Sequence, residues 1–185
     1  DQVFVSDTFA AWIPQDEEDP IKKLIAQSGD NTQHLPGENW LEMAETVIQQ
    51  IDEQPTVITV MGAGTIQKII PALSALLIRQ LIQKELPELF IEKDCTWKNI
   101  TTLGIGGATP VVVEPKSTDE LSQLLKRLHQ WQVSSLPIGC GSNLVGIDEI
   151  CDKVLIRLKS GEFETCEINE NKVQVGAGLR LNRLV

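Results

Sequence analysis

The segment "LPIGCGSNLV" at 136–145 carries a short apolar stretch directly into Gly139, Cys140, Gly141, Ser142 and Asn143. Glycine admits positive φ and has no Cβ to hold a ligand off the backbone. Successive N–H groups in such a bend form a concavity that binds anions, so a phosphate is the ligand this pattern suits. A plain turn at a strand end draws on the same residue types. Related bends occur at "TTLGIGG" (101–107) and "GAG" (176–178), and another "GAG" stands at 62–64. Three glycine bends within about 80 residues, around one small sheet, are expected to wall a shared cleft for an extended phosphate-bearing ligand.

The spacing excludes several familiar chemistries. A dinucleotide fingerprint needs Gly-x-Gly-x-x-Gly, but Gln67 and Leu144 occupy the third glycine positions of the bends at 62 and 139. Neither bend ends in the Gly-Lys-Ser/Thr of a P-loop. Cys95, Cys140, Cys151 and Cys166 include no Cys-x-x-Cys pair, and His34 and His129 are the only histidines. No metal site is expected from them. Cys140 has no histidine near it in sequence and reads as a small loop residue rather than a nucleophile. No catalytic residue is assigned.

Charge is distributed unevenly. Residues 1–60 hold 12 acidic side chains against Lys22 and Lys23, whereas 61–185 hold 14 of each sign. Neither part offers the basic patch that nucleic-acid binding requires. The longest apolar run, "IIPALSALLI" at 69–78, is about half a bilayer span, and "DQVFVSDTFA" has no signal-peptide character. A cytoplasmic protein without membrane or nucleic-acid partners is expected.

Elements must position these bends. "VFVS" at 3–6 reads as a buried strand end, and the acidic run Asp16–Asp19 as a solvated loop. Trp40, Leu41, Ala44, Val47, Ile48 and Ile51 recur at helical spacing after Asn39. "TVITVM" at 56–61 reads as a fully buried strand, "GAG" as a turn, and "TIQKIIPALSALLIRQLIQK" as a helix, an α/β order with a parallel sheet. Residues 85–98 lose periodicity and are expected to link two domains, 1–84 and 99–185. Beyond them, "VVVEP" at 111–115 is a strand. Ser117 and Glu120 form a capping box, with Leu121, Leu124, Leu125, Leu128 and Trp131 as the helix stripe. "SSLPIG" then completes a βαβ unit. "KVLIRL" (153–158), "EFETCEI" (162–168) and "KVQVGAG" (172–178) alternate like antiparallel strands, making the second part α+β.

The second part also resembles a known family. "TTLGIGGATPVVVEP", "LPIGCGSNLV", "GIDEICDKVLIRL" and "VQVGAGLRLNRLV" are similar, in order, to the start of the flavin-binding domain of the UDP-N-acetylenolpyruvoylglucosamine reductases, the MurB family. The resemblance implies an α+β FAD-binding domain of the PCMH type. It implies FAD contacts at Gly139, Cys140, Gly141, Ser142, Asn143, Gly176, Ala177 and Gly178, with Thr102, Gly106 and Gly107 as further contacts. It also implies NADPH as reductant and UDP-sugars as small-molecule substrates, with the catalytic residues in segments beyond Val185. Gly104 stands where that family often has a basic residue.

Residues 1 to about 82 resemble the C-terminal domain of the UDP-N-acetylmuramate:L-alanine ligases, the MurC family, through "VFVSDTFAAW", with Phe9 in place of a tyrosine, and "VITVMGAGTIQKIIPAL". This resemblance implies a Rossmann-like α/β ligase domain whose ATP and Mg sites lie outside the chain. Together the two imply the seam of a fused ligase and reductase in peptidoglycan precursor synthesis, both domains incomplete and neither activity whole. A non-catalytic nucleotide-binding or scaffolding module, and a flavin oxidase of the wider PCMH-type family, are the alternatives.

Overall fold

The computed structural model describes residues 2–7, 20–37, 39–52, 54–62 and 65–183. The chain divides into two compact units, Asp1–Leu73 and Ser74–Val185.

In the first unit, β1 (Val3–Ser6) pairs in parallel with β2 (Thr32–Leu35), Val3 opposite Thr32. The connection between them carries α1 (Pro20–Ser28). Val3 is exposed, so β1 is not the buried strand end that its composition suggested. α2 (Trp40–Gln49) begins where Asn39 accepts hydrogen bonds from the amides of Leu41 and Glu42, which satisfies two otherwise unpaired donors. Its buried stripe is Met43, Ala44, Val47 and Ile48.

Residues 56–61 depart from expectation. They form no strand, and Val57 and Met61 are almost fully exposed. A buried parallel strand needs paired neighbours and cover on both faces; among the described residues none pairs with this run. Phe9, Asp16–Asp19, Ala63 and Gly64 lie outside the described residues.

A 3-10 turn at Thr65–Lys68 leads into α3 (Ile69–Glu85). Pro71 sits in the first turn of α3, where a missing N–H costs little. The continuous stretch Thr65–Glu85 is long and apolar enough, by length and composition, to cross a membrane, although a third of its most apolar window is buried inside the protein. It exceeds the ten-residue run that the sequence displayed.

The second unit is built on a four-stranded sheet ordered β3 (Phe90–Glu92), β4 (Val112–Glu114), β6 (Val154–Arg157), β5 (Ser135–Ile138). β3 is antiparallel to β4; β4, β6 and β5 are mutually parallel. The βαβ unit through α5 (Thr118–Gln130) therefore spans a gap that β6 fills. "KVLIRL" is thus a central parallel strand, not an antiparallel one. Among the described residues antiparallel pairing occurs at the β3 edge, in the hairpin β7 (Cys166–Asn169) with β8 (Lys172–Val175), and at a single bridge between Thr96 and Ala108. The segment expected to be a linker, 85–98, holds β3 and begins the short helix α4 (Trp97–Ile100), with Leu89, Ile91, Cys95 and Trp97 buried.

Period-two alternation splits the sheet's side chains between two cores. Val111, Val113, Val154 and Ile156 face Ala75 and Ile82 of α3 and Leu124 and Leu128 of α5. Val112 and Leu155 face the other way, against Trp97, Ile100 and Ile138. Leu125, counted in the helix stripe from spacing, is exposed instead. The second core holds the chain just before two of the glycine bends, which fixes where those bends emerge.

Candidate functional site

The first and third bends lie at the carboxyl ends of β5 and β6, the usual ligand-binding edge of such a sheet, while the second precedes β4. Residues 139–143 leave β5 directly. Gly141 has φ +67, and a Cβ there would fall on the carbonyl oxygen of Ile100, so the bend takes only glycine at this point. The carbonyl of Gly141 accepts a hydrogen bond from Thr102 N at 3.0 Å, joining the first bend to the second. The third bend lies against the end of β6: a Cβ on Gly178 would fall on Leu158 O, and Gly178 N donates to Phe163 O at 2.8 Å.

Together the bends enclose an open cleft of about 470 Å³ lined by Thr102, Gly139, Cys140, Ser142, Ala177, Gly178, Leu179 and Arg180. That volume is within the usual range for a bound organic ligand. The amides of Gly139, Cys140, Gly141, Ser142 and Asn143 donate to no acceptor among the described residues. Five consecutive unpaired N–H groups are the donor set an anionic oxygen cluster uses. An added Cβ at Gly139 would meet nothing within 4 Å, so the backbone there is open to a ligand. The residues present therefore fit a diphosphate-bearing cofactor.

Not every expected contact lines the cleft. Gly141 is buried behind it and Asn143 is exposed beside it, and neither is in the lining. Gly176 is turned inward, its N–H donating to Thr165 O at 2.8 Å. Gly107 bridges Trp97 N, at 3.0 Å, and Ile147 O, at 2.7 Å, while Gly106 packs on Trp97 and Gly146. These three glycines shape the bends from behind and do not face the cleft. Leu179 and Arg180, in the lining, were not among the expected residues. The only signal for Arg180 was a cation two residues after Gly-Ala-Gly.

Support for the third bend comes from the start of α5. Ser117 caps the helix by accepting from Glu120 N at 3.2 Å, but Glu120 returns its carboxylate to Lys116 N at 2.7 Å rather than to the capping residue. Glu162 adds a long-range cap, accepting from both the amide and the hydroxyl of Thr118 at 2.8 Å. Phe163, next in sequence, supplies the carbonyl that holds Gly178. The two hydrogen bonds from Thr118 keep the Glu162 carboxyl below its ordinary value. A lowered carboxyl pKa contributes stability above the unfolded value, about 4.3 for glutamate, and that contribution is lost as pH falls through the folded value. Glu162→Gln is thus expected to melt below the parent at neutral pH, and the gap between the two melting curves is expected to close as the medium is acidified. A gap constant with pH would contradict this role.

A charged row crosses the same strand ends. Arg157 Nη1 lies 2.7 Å from Glu92 and 3.4 Å from Glu114, and Lys159 Nζ lies 2.6 Å from Glu114. Two cations and two carboxylates offset one another there. Burial pushes the Cys95 and Cys151 thiols up, which disfavours their thiolates. Cys140 and Cys166 are exposed. Among the described residues no group of His, Cys, Asp and Glu forms a metal site.

Residues 109–185 match the family model described as FAD binding domain. The chain is 30% identical over 108 residues to UDP-N-acetylenolpyruvoylglucosamine reductase 1 of Bacillus cereus, covering 58% of this chain and 35% of the relative. It is 32% identical over 107 residues to the UDP-N-acetylenolpyruvoylglucosamine reductase of Bacillus subtilis, covering 58% and 34%. The Bacillus licheniformis reductase is 37% identical over 86 residues, 46% of this chain and 28% of the relative. The chain spans about a third of the length of these curated relatives.

Proposed function

We propose, from the FAD-binding domain that residues 109–185 match, that the second unit holds the flavin dinucleotide of a UDP-N-acetylmuramate dehydrogenase, an enzyme of peptidoglycan precursor synthesis. The observation that carries the reading is the run of unpaired amides at Gly139–Asn143, of which Gly139, Cys140 and Ser142 line an open cleft at the strand ends. Those amides take the diphosphate, Ser142 and Asn143 add side-chain hydrogen bonds, and Ala177 and Gly178 form the wall toward the flavin. Thr102 closes the near side. Gly106, Gly107 and Gly176 act by holding the bends. Held by the amides of Gly139–Asn143 and by Ala177 and Gly178, FAD would supply the redox chemistry for an NADPH-dependent reduction of an enolpyruvyl ether on a UDP-sugar.

No residue of the chain is given a proton-transfer role. Such a reduction also requires a catalytic acid and an electrophilic group. The first unit is read as the end of a UDP-N-acetylmuramate:L-alanine ligase joined to the reductase, on the likeness of "VFVSDTFAAW" and "VITVMGAGTIQKIIPAL". ATP and Mg would serve that ligase portion, and both activities belong to the cytoplasm.

Purification of the chain tests the reading. It is expected to carry, or to take up on addition of FAD, the visible absorption bands of bound flavin, without oxidising NADPH against the enolpyruvyl substrate. A chain that takes up no flavin would overturn the assignment, and turnover with that substrate would overturn the division of labour.

A further inference from the structure

The diphosphate site described above lacks the charge compensation that usually accompanies it. In dinucleotide folds the pyrophosphate sits on a helix N-terminus, but here no helix follows the bend: from Leu144 to β6 the backbone is neither helical nor stranded. The amides supply hydrogen bonds and no net positive charge. Of the eight residues lining the cleft, Arg180 is the one with a charged side chain. Nearby cations are engaged elsewhere, Arg157 and Lys159 with Glu92 and Glu114, and Arg183 with Glu164 at 3.9 Å. Arg180 has no ion pair or side-chain hydrogen bond among the described residues. Its backbone is held, because its carbonyl accepts from Arg183 N at 2.9 Å and the preceding Leu179 N donates to Gly176 O at 3.1 Å. A long guanidinium thus starts from a fixed point on the cleft rim.

Resting on the proposed function, we propose that Arg180 is the cation that neutralises the cofactor's diphosphate, and that it sets the cleft's preference for phosphorylated over unphosphorylated flavin. A guanidinium matches two phosphate oxygens at once, which an ammonium does not. The full chain, its Arg180→Gln form and its Arg180→Lys form are compared by flavin-fluorescence titration with FAD and with riboflavin, and by calorimetry with inorganic pyrophosphate. Arg180→Gln is expected to weaken FAD and pyrophosphate binding about ten- to a hundredfold, the loss of one charge-assisted contact. It should also flatten their dependence on salt and leave riboflavin binding and the melting temperature unchanged. Arg180→Lys should fall between. If Arg180→Gln binds FAD within twofold of the parent, the proposal fails while the flavin assignment stands. If the parent takes pyrophosphate through Arg180 but not FAD, the arginine-held anion site stands, and the flavin assignment fails together with the flavin preference drawn from it. If the parent binds neither, both fail.

Discussion

Gly178→Ala is expected to destabilise the second unit by about 3 kcal/mol or more, in the range reserved for forced backbone movement. For a unit of this size that corresponds to a fall of roughly 10 °C or more in melting temperature. The new methyl would fall on Leu158 O, with Phe163 O only 3.1 Å away. Neither carbonyl is free to retreat. Leu158 follows β6, whose Val154, Leu155 and Ile156 are fully buried, and its N–H reaches Ile138 O at the end of β5. Phe163 is itself buried and is bracketed by the Glu162 cap on α5. Relief would have to come from opening the third bend, which would also deform the cleft. Thermal or urea unfolding of the single variant checks this, and a melting temperature within a degree or two of the parent's would contradict the packing described.

Gly139→Val is expected to do the reverse, leaving the fold intact and removing the ligand. The Cβ position meets no atom within 4 Å, and Gly139 is not among the glycines with positive φ, so a branched side chain is accommodated without backbone strain. Its two methyl groups would then project over the amides that the diphosphate must approach. Loss of at least two of those hydrogen bonds to a charged group weakens FAD binding by about a hundredfold or more. An unchanged melting curve combined with lost flavin fluorescence quenching is the expected pair of results. Unchanged affinity would mean that the ligand does not approach Gly139. The two variants thus separate a glycine that supports the cleft wall from one that opens onto the cleft.

That separation marks where sequence reading stops. Gly139 and Gly176 look alike in a motif, yet one opens onto solvent and the other turns its N–H inward to Thr165; the difference is made by residues more than ten positions away. The convergence of three bends was legible because each follows or precedes a short strand, although the third follows β8 of the separate hairpin and not a strand of the four-stranded sheet. The start of α5 was legible in Ser117 and Glu120, but Glu162, 44 residues on from Thr118, left no local trace. The direction of β6 was misjudged from alternation in its flanks, although its unbroken "VLI" core is the mark of a strand buried on both faces. β3 and α4 span three and four residues, too short for periodicity to register. "TVITVM" shows the converse, an apolar run whose pairing depends on neighbours that no described strand supplies. Arg180 was missed because a lone arginine carries no pattern.

On the proposed function, the amides from Gly139 to Asn143 receive a diphosphate. Amide chemical shifts of the isotope-labelled chain, followed while FAD, pyrophosphate and riboflavin are added in turn, test it residue by residue. FAD and pyrophosphate are both expected to shift the signals of Gly139, Cys140, Gly141, Ser142 and Asn143, and riboflavin to leave them in place. FAD binding that moves signals elsewhere while those five stay fixed would contradict it.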